Sequence, residues 1–251
     1  MSLFLKRFDT HSEYEAYING SDAILPNVSI CTTEGDVHYN PYVDPYAGHD
    51  YVEIGGLKWA TMNIGATGIT DTGLYFQWGD ISGYTASQVC SGSGKKYFGW
   101  ADYKYGNGTS SPGATGMTKY NSTDGKTVLD AEDDAATTNW GGSWRMPTKN
   151  DYGALGAAVN TAWTANYQGS GVAGLICTDK KDSSKVLFFP ACGYCAFGSM
   201  GHVGSYGHYW SSSVLSGVNN NALLLVFSDG TVNWSNTDNR YGGFPVRGVV
   251  G

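Results

Sequence analysis

Gly204-Ser-Tyr-Gly-His-Tyr-Trp-Ser-Ser-Ser213, followed by the stretch from Asn219 to Arg247, sets two kinds of residue side by side. One kind is apolar, aromatic or Gly and reads as a rigid frame: Tyr209, Trp210, Ala222, Phe227, Tyr241, Gly243, Phe244 and Val246. Between these lie His208, Val218, Asn219, Asn220, Asn221, Ser228, Asp229, Asn233, Ser235, Asn236, Thr237, Asp238 and Asn239, side chains that share little except that none needs burial.

The same stretch is skewed in composition. The chain holds eleven Lys, five Glu, three Gln and five Met, and all of them lie at or before Met200. Even spreading would put about five in the remaining residues. Random replacement of both leading adenines of an Asn codon, with the final pyrimidine kept, yields Asn, Ser, Thr, Asp, His, Tyr, Gly, Val and Leu among its products. It never yields Lys, Glu, Gln, Met or Trp. The segment obeys that restriction apart from Trp210 and Trp234, which are then fixed frame residues.

The Tyr209-Trp-Ser-Ser-Ser213 run, the Asn-rich middle and the ending Asn239-Arg-Tyr-Gly-Gly-Phe-Pro-Val-Arg247 resemble the variable region of a variable protein of a diversity-generating retroelement. Upstream, Gly56-Leu-Lys-Trp-Ala-Thr-Met-Asn63, Tyr75-Phe-Gln-Trp-Gly-Asp80, Asp133-Asp-Ala135, Trp140-Gly-Gly-Ser-Trp-Arg-Met-Pro-Thr148 and Phe189-Pro-Ala-Cys-Gly-Tyr194 resemble the Fibrobacter succinogenes major paralogous domain. Several motifs in order are more specific than any one. The resemblance implies an α+β, C-type lectin-like fold of the formylglycine-generating-enzyme type, with short antiparallel strands, few helices and long Gly-rich loops. It also implies a gene whose adenines are rewritten from a template repeat. The related sulfatase-activating enzymes use cysteines late in the fold, and none follows Cys195 here, so that chemistry is not carried over.

The totals bound the remaining choices. A chain of 251 residues with 36 Gly, 14% aromatic and 15% charged residues reads as loop-rich and held by aromatic packing. The net charge of −7 supplies no basic stripe for phosphates, which argues against a nucleic-acid partner. No run approaches the ~20 apolar residues of a membrane span, so membrane insertion is not expected. The first residues lack the pattern of a signal peptide, and assembly into a phage particle released by lysis is the simplest route to a surface role. Five scattered cysteines argue against a disulfide framework, and Cys192-Gly-Tyr-Cys195 reads as small buried thiols ahead of redox or metal chemistry.

Along the chain, residues 1–48 read as an N-terminal appendage and residues 49–251 as one large domain with its variable region at 201–247. The appendage shows a capping box at Thr10-His-Ser-Glu13 and two short strands, Leu25-Pro-Asn-Val-Ser-Ile30 and Asp36-Val-His-Tyr39. It resembles N-terminal pieces of phage structural proteins; a strand pair packed on the main domain is the alternative. Tyr51–Ile54 and Leu57–Met62 pattern as a hairpin, and Gly73 to Trp78 as an aromatic strand. Ser82 to Lys126 is a long loop expected over the sheet near the C-terminal surface. Asp130, Glu132, Asp133 and Asp134 offer oxygen ligands of the kind calcium takes, yet lack the spacing of a calcium hand. Capping a helix or pairing with Arg145 is the favoured role for Asp133 and Asp134. Thr148-Lys-Asn-Asp151 is a second capping box, with Tyr152, Leu155, Ala158 and Val159 at helical spacing. Further strands are expected at Gly174–Cys177, Val186–Phe189, His208–Trp210, Ala222–Phe227 and Phe244–Val249.

No catalytic residues, metal or cofactor are expected. What remains is a binding surface whose expected contacts are Ser205, His208, Val218, Asn219, Asn220, Asn221, Leu223, Leu225, Ser228, Asp229, Asn233, Ser235, Asn236, Thr237, Asp238, Asn239 and Gly242. Tyr206 and Trp234 supply aromatic contact within it, a mixture suited to an adaptable combining site. Strand alternation sends half of Leu223 to Phe227 inward, which makes Leu225 the weakest member. The expected partner is a cell-surface protein or glycan, met on a phage tail or a cell surface, with a homotrimer or virion assembly as the setting. A non-diversified adhesive module of the same fold is the alternative.

Overall fold

The computed structural model describes residues 29–31, 37–39, 46–89, 95–108 and 116–251. The helix expected after Thr10, most of the linker before His49 and the Gly-rich tips at 91–94 and 109–115 lie outside the described residues. The chain divides into two units, Met1–Gly48 and His49–Gly251. In the first, strand β1 (Ser29–Cys31) pairs antiparallel with β2 (Val37–Tyr39).

The second unit is built mostly of antiparallel strands, with two α-helices among the described residues. Strands β3 (Tyr51–Ile54) and β4 (Leu57–Asn63) form the expected hairpin, and β13 (Arg247–Val250) joins β4 to complete a three-stranded sheet. A second sheet runs β5 (Val159–Thr164), β6 (Gly174–Asp179) and β7 (Val186–Pro190). A small hairpin, β8 (Tyr194–Ala196) with β9 (Ser199–Gly201), precedes the third sheet. That sheet is β10 (Tyr206–Val214), β11 (Asn221–Ser228) and β12 (Thr231–Asn239), and it contains most of the expected contact residues. A two-residue turn at Asp229-Gly230 links β11 to β12, with Gly230 at φ 77°, as a tight hairpin requires.

Helix α1 (Ala135–Trp140) starts at Asp134, whose Oδ1 accepts the amide N–H groups of Ala136 and Thr137, each at 2.9 Å. The same carboxylate accepts from the Met146 amide at 2.8 Å, so it fixes the chain on both sides of the Gly141-Gly142 turn. Helix α2 (Lys149–Ala158) carries the predicted capping box: Thr148 Oγ1 accepts from the Asp151 amide and Asp151 Oδ2 accepts from the Thr148 amide. Such a cap stabilises a helix by about 1 kcal/mol. Of the two roles expected for Asp133 and Asp134, Asp134 takes the helix cap, while Arg145 pairs with Asp151 at 2.6 Å instead and Asp133 is held by Lys104.

Three expectations need correction. Gly73 to Trp78 is not a strand: Tyr75 bridges to Tyr84 while Phe76 bridges to Phe244, so successive residues pair with different segments. Val159 does not continue the helix but begins β5. The strand expected from Phe244 begins only at Arg247, since Phe244 bridges singly to Phe76 and Pro245 has no N–H to give a ladder.

The core is aromatic. Trp59, Tyr75, Phe98, Tyr152, Phe189, Tyr209 and Phe227 pack in one cluster with Leu155, Leu175, Leu187, Leu225 and Val249. Burying each such side chain contributes about 1.5–3 kcal/mol. The described parts of the 82–126 loop are not loose. Trp100, Tyr103, Tyr105 and Tyr120 are buried, and Trp100 meets Tyr241 edge-on just beyond β12.

Candidate ligand-binding face

Register decides which side chains share a surface, because residues opposite each other on paired strands project to the same side. In the third sheet Gly207 faces Phe227 and Tyr209 faces Leu225, while Phe227 faces Val232. Phe227, Leu225 and Tyr209 belong to the core cluster, so this is the inner side. The other side carries Tyr206 opposite Ser228, His208 opposite Val226, and Trp210 opposite Leu224. It continues on β12 with Thr231, Asn233, Asn236 and Asp238, opposite Ser228, Val226, Leu224 and Ala222. A bulge between Leu224 and Val226 in the β11–β12 pairing absorbs the extra residue of β12 and keeps Asn233 and Asn236 on this outer side.

The outer side is half covered. Trp210 lies under Phe244, ring centroids 4.3 Å apart, and donates Nε1–H to the Phe76 carbonyl at 2.9 Å. Beyond Trp210 the side opens. Tyr206 is 39% exposed, Asn233 is exposed, and His208, Val226, Ser228, Asn236 and Asp238 are partly exposed. An aromatic group flanks them. Tyr194 lies 5.3 Å from the His208 ring and 5.6 Å from His202, and His202 lies 5.0 Å from Tyr206. A second group, Tyr97, Phe197 and Tyr241, stands beyond the end of β12, with Phe197 52% exposed at the β8–β9 turn.

Two polar groups on this side lack the partners that burial usually demands. Asp238 accepts a hydrogen bond from the Asn239 amide at 2.6 Å and forms no ion pair among the described residues, so burial raises its carboxyl above the usual carboxylate range. His208 Nδ1 is buried without a hydrogen-bond partner. Burial, with His202 nearby, lowers the His208 imidazole to about 4. From the ordinary value near 6.5 down to about 4, the unfolded chain binds a proton that the folded chain does not. Stability therefore falls as pH drops through that window and is fully present above it. Wild type is expected to lose about 2 kcal/mol more than His208→Phe between about pH 7 and about pH 4.5, read by urea unfolding at each pH. Parallel losses in both proteins would show that His208 does not set this dependence.

The structure sorts the expected contact residues into groups. His208, Ser228, Asn233, Asn236 and Asp238 share the outer side, with Tyr206. Ser205, Val218 and Asp229 are exposed in turns around it, and Asn220 is partly exposed. Asn221, Leu223, Thr237 and Asn239 project to the opposite side, and Ser235 sits in the bulged stretch of β12. Leu223 and Leu225 are corrected. They are 6% and 0% exposed, since β11 is the central strand and both of its sides are covered there, so neither is presented on the outer face. Asn219 and Gly242 are buried as well, Asn219 with its carbonyl accepting from Arg240 and Gly242 against the Phe244 ring. Trp234 is also corrected. It packs on helix α2 above Gly156, where a Cβ would lie 2.6 Å from its Nε1, and it belongs to the core packing. Tyr194, His202, Val226 and Phe197 were missed. Val226 has the look of a frame residue, and Phe197 and Tyr194 lie before the skewed segment. Aromatic residues spaced along a short hairpin were the available signal.

The acidic cluster is occupied from within. Asp130, Glu132 and Asp133 bring ligand atoms within 4.8 Å of one another, and Lys119 Nζ stands 2.8, 3.1 and 2.5 Å from them. Burial alone would raise the Asp133 carboxyl, but hydrogen bonds from Lys104 and Lys119 outweigh it and hold the group well below the usual range. Cys192 and Cys195 are free, buried thiols, and burial pushes Cys192 up to about 12. Cys192 Sγ lies 3.2 Å from the Tyr209 hydroxyl, whereas Cys195 Sγ meets Met200 Sδ. Among the described residues no helix is long and apolar enough to cross a membrane. Comparison of the chain with models of protein families, with curated proteins and with solved structures finds no match.

Proposed function

We propose that the chain is a binding protein, not an enzyme, that presents a variable surface on a C-type lectin-like scaffold at a phage tail tip or on a cell surface. Its partner is a cell-surface protein or glycan. One observation carries the reading: beyond Trp210 the open part of one sheet's outer side is formed mostly by residues with replaceable chemistry, although Asn221, Thr237 and Asn239 project to the other side. His208, Ser228, Asn233, Asn236 and Asp238 share the outer side with Tyr206, while Tyr209, Leu225 and Phe227 pack inward. An outer residue can change without disturbing the packing beneath it, and substitutions at exposed sites usually alter stability by less than about 0.5 kcal/mol. Tyr and His rings give contact area at low entropy cost, and Asn, Ser and Asp give adaptable hydrogen bonds.

The decisive experiment is to sequence the DNA that flanks the gene. A near-copy of the codons for Gly201 to Arg247, differing only where the copy has adenine and lying beside a reverse transcriptase gene, is the expected finding. The differing codons should fall on His208, Asn233, Asn236 and Asp238 and spare Tyr209, Trp210 and Phe227. Absence of such a repeat, or differences spread over all four bases, would overturn the diversified reading and leave a fixed adhesive module.

A further inference from the structure

On the side of the third sheet away from that face, a cavity of about 560 Å³ lies between β12, the end of β10 and the first turn of α2. Its volume falls within the ~300–1,000 Å³ typical of small-molecule sites. Five separate segments build it. Residues Thr127 and Val128 reach β10 through a bridge from Val128 to Ser213, and Ser213 Oγ accepts the Lys149 amide at 3.1 Å, which fixes the start of α2 against the strand. Leu223 and Val214 are buried residues of its wall.

Its polar lining is distinctive. The hydroxyls of Thr127, Ser216, Ser235 and Thr237, the Asn150 amide and the Lys149 ammonium all belong to lining residues. Among the described residues none of these side-chain groups makes a hydrogen bond or ion pair, in contrast to Thr148, whose hydroxyl is held by Asp151. No Asp or Glu lines the cavity, although the chain carries a net charge of −7. Two carboxylates adjoin lining residues in sequence: Asp151 is bound to Arg145 and to the Thr148 amide, and Asp238 projects to the other side of the sheet. The site thus offers several unpaired hydroxyls, one amide and one unneutralised cation beside an apolar wall.

We infer that this cavity is a second binding site, separate from the outer face of the sheet, for a small hydroxyl-rich anion with the chemistry of a uronic acid. Ring hydroxyls exchange hydrogen bonds with Ser216, Ser235, Thr237 and Asn150, the carboxylate pairs with Lys149, and the apolar edge of the ring lies on Leu223 and Val214. The test uses the full chain and two soluble probes, glucuronate and glucose, followed by ligand-observed NMR titration. Glucuronate is expected to bind and glucose to bind at least about tenfold more weakly, the margin a charge-assisted hydrogen bond supplies. Lys149→Met, at an exposed position, should weaken glucuronate by a similar factor and leave glucose unchanged. Ser235→Trp, also at an exposed position, should fill the space and abolish binding of both. Three outcomes overturn the inference: no glucuronate binding, glucuronate binding that survives Ser235→Trp, or equal affinity for the two sugars. Binding that Ser235→Trp abolishes but Lys149→Met leaves untouched refutes the assignment to an anion.

Discussion

Arg247→Met is expected to cost about 4 kcal/mol of stability at neutral pH. Arg247 is fully buried, and all of its partners are neutral. Its Nε donates to Asn63 Oδ1 at 2.9 Å, Nη1 donates to the carbonyls of Ala60 and Thr61, and Nη2 donates to the carbonyl of Phe188 at 3.0 Å. The guanidinium also lies 4.6 Å from the centre of the Phe189 ring. It therefore ties β4 to β7, two strands of different sheets. Burial lowers its pKa below the ordinary arginine value, yet an Arg side chain stays protonated at neutral pH. Exchanging a buried ion pair for apolar side chains can be neutral or stabilising because both partners are removed together. Here three of the four acceptors are backbone carbonyls and stay behind, each costing about 1–3 kcal/mol when left buried without a donor. Met fills most of the volume, so the loss reports hydrogen bonding more than a void. Arg247→Lys should recover less than half, because one ammonium cannot reach acceptors spread around a planar fork. Urea unfolding of the three proteins at constant m-value is the measurement. A cost below about 1 kcal/mol for Met would mean that water replaces the guanidinium and that the arginine is no staple.

A second buried arginine does the same work beside the candidate face. Arg240 donates from Nε to the Tyr103 hydroxyl at 2.8 Å, from Nη1 to the carbonyls of Asn219 and Tyr120, and from Nη2 to the Lys119 carbonyl. It lies over the Trp78 ring at 4.5 Å. The turn after β10, the loop at 119–120 and the end of β12 are thereby held to one another by one side chain. A surface built to vary needs such anchoring, because its own residues cannot be relied on for it.

What the amino-acid sequence shows and what it hides follow from the range of the interactions. The α2 cap was legible because Thr148 and Asp151 satisfy each other within one turn. The hairpin at Tyr51–Ile54 and Leu57–Met62 was legible because its alternation and its Gly55-Gly56 turn are local. Strand β12 was not. Thr231-Val-Asn-Trp-Ser-Asn-Thr-Asp-Asn239 is rich in residues disfavoured in strands, and it is extended because β11 offers it a partner. The same cause hid the buried roles of Leu223 and Trp234, whereas alternation already marks Leu225 as inward. Alternation gives two sides, but only the tertiary packing says that both sides of β11 are covered and that Gly156 leaves room for an indole. The arginines were quoted within a motif yet could not be recognised as buried, since their acceptors are carbonyls contributed by distant residues.

Gly193→Ala is expected to cost about 3 kcal/mol, although it adds one methyl group. Gly193 has φ 65°, and a Cβ there would lie 2.1 Å from the Gly201 carbonyl oxygen and 2.7 Å from the Val203 amide nitrogen. Neither atom can rotate away, because both are backbone. The Gly193 amide donates to the Tyr206 carbonyl at 2.7 Å, so the methyl would also pull on the first residue of β10. The left-handed conformation accounts for about 1–2 kcal/mol of the cost in a residue with a Cβ. Relieving the overlap by moving backbone accounts for a further ~1–3 kcal/mol. Gly204→Ala separates the two contributions. Gly204 has φ 80° and nothing within 4 Å of its Cβ position, so it should show the conformational cost alone, about 1 kcal/mol. Unfolding free energies of both variants at one pH give the difference directly. Equal losses would mean that the β8–β9 hairpin yields freely beside the turn at 201–206. A larger loss at Gly193 would mean that this close approach holds Tyr194, His202 and Tyr206 where they flank the outer face, and that the aromatic edge of the candidate site is as fixed as the sheet it borders.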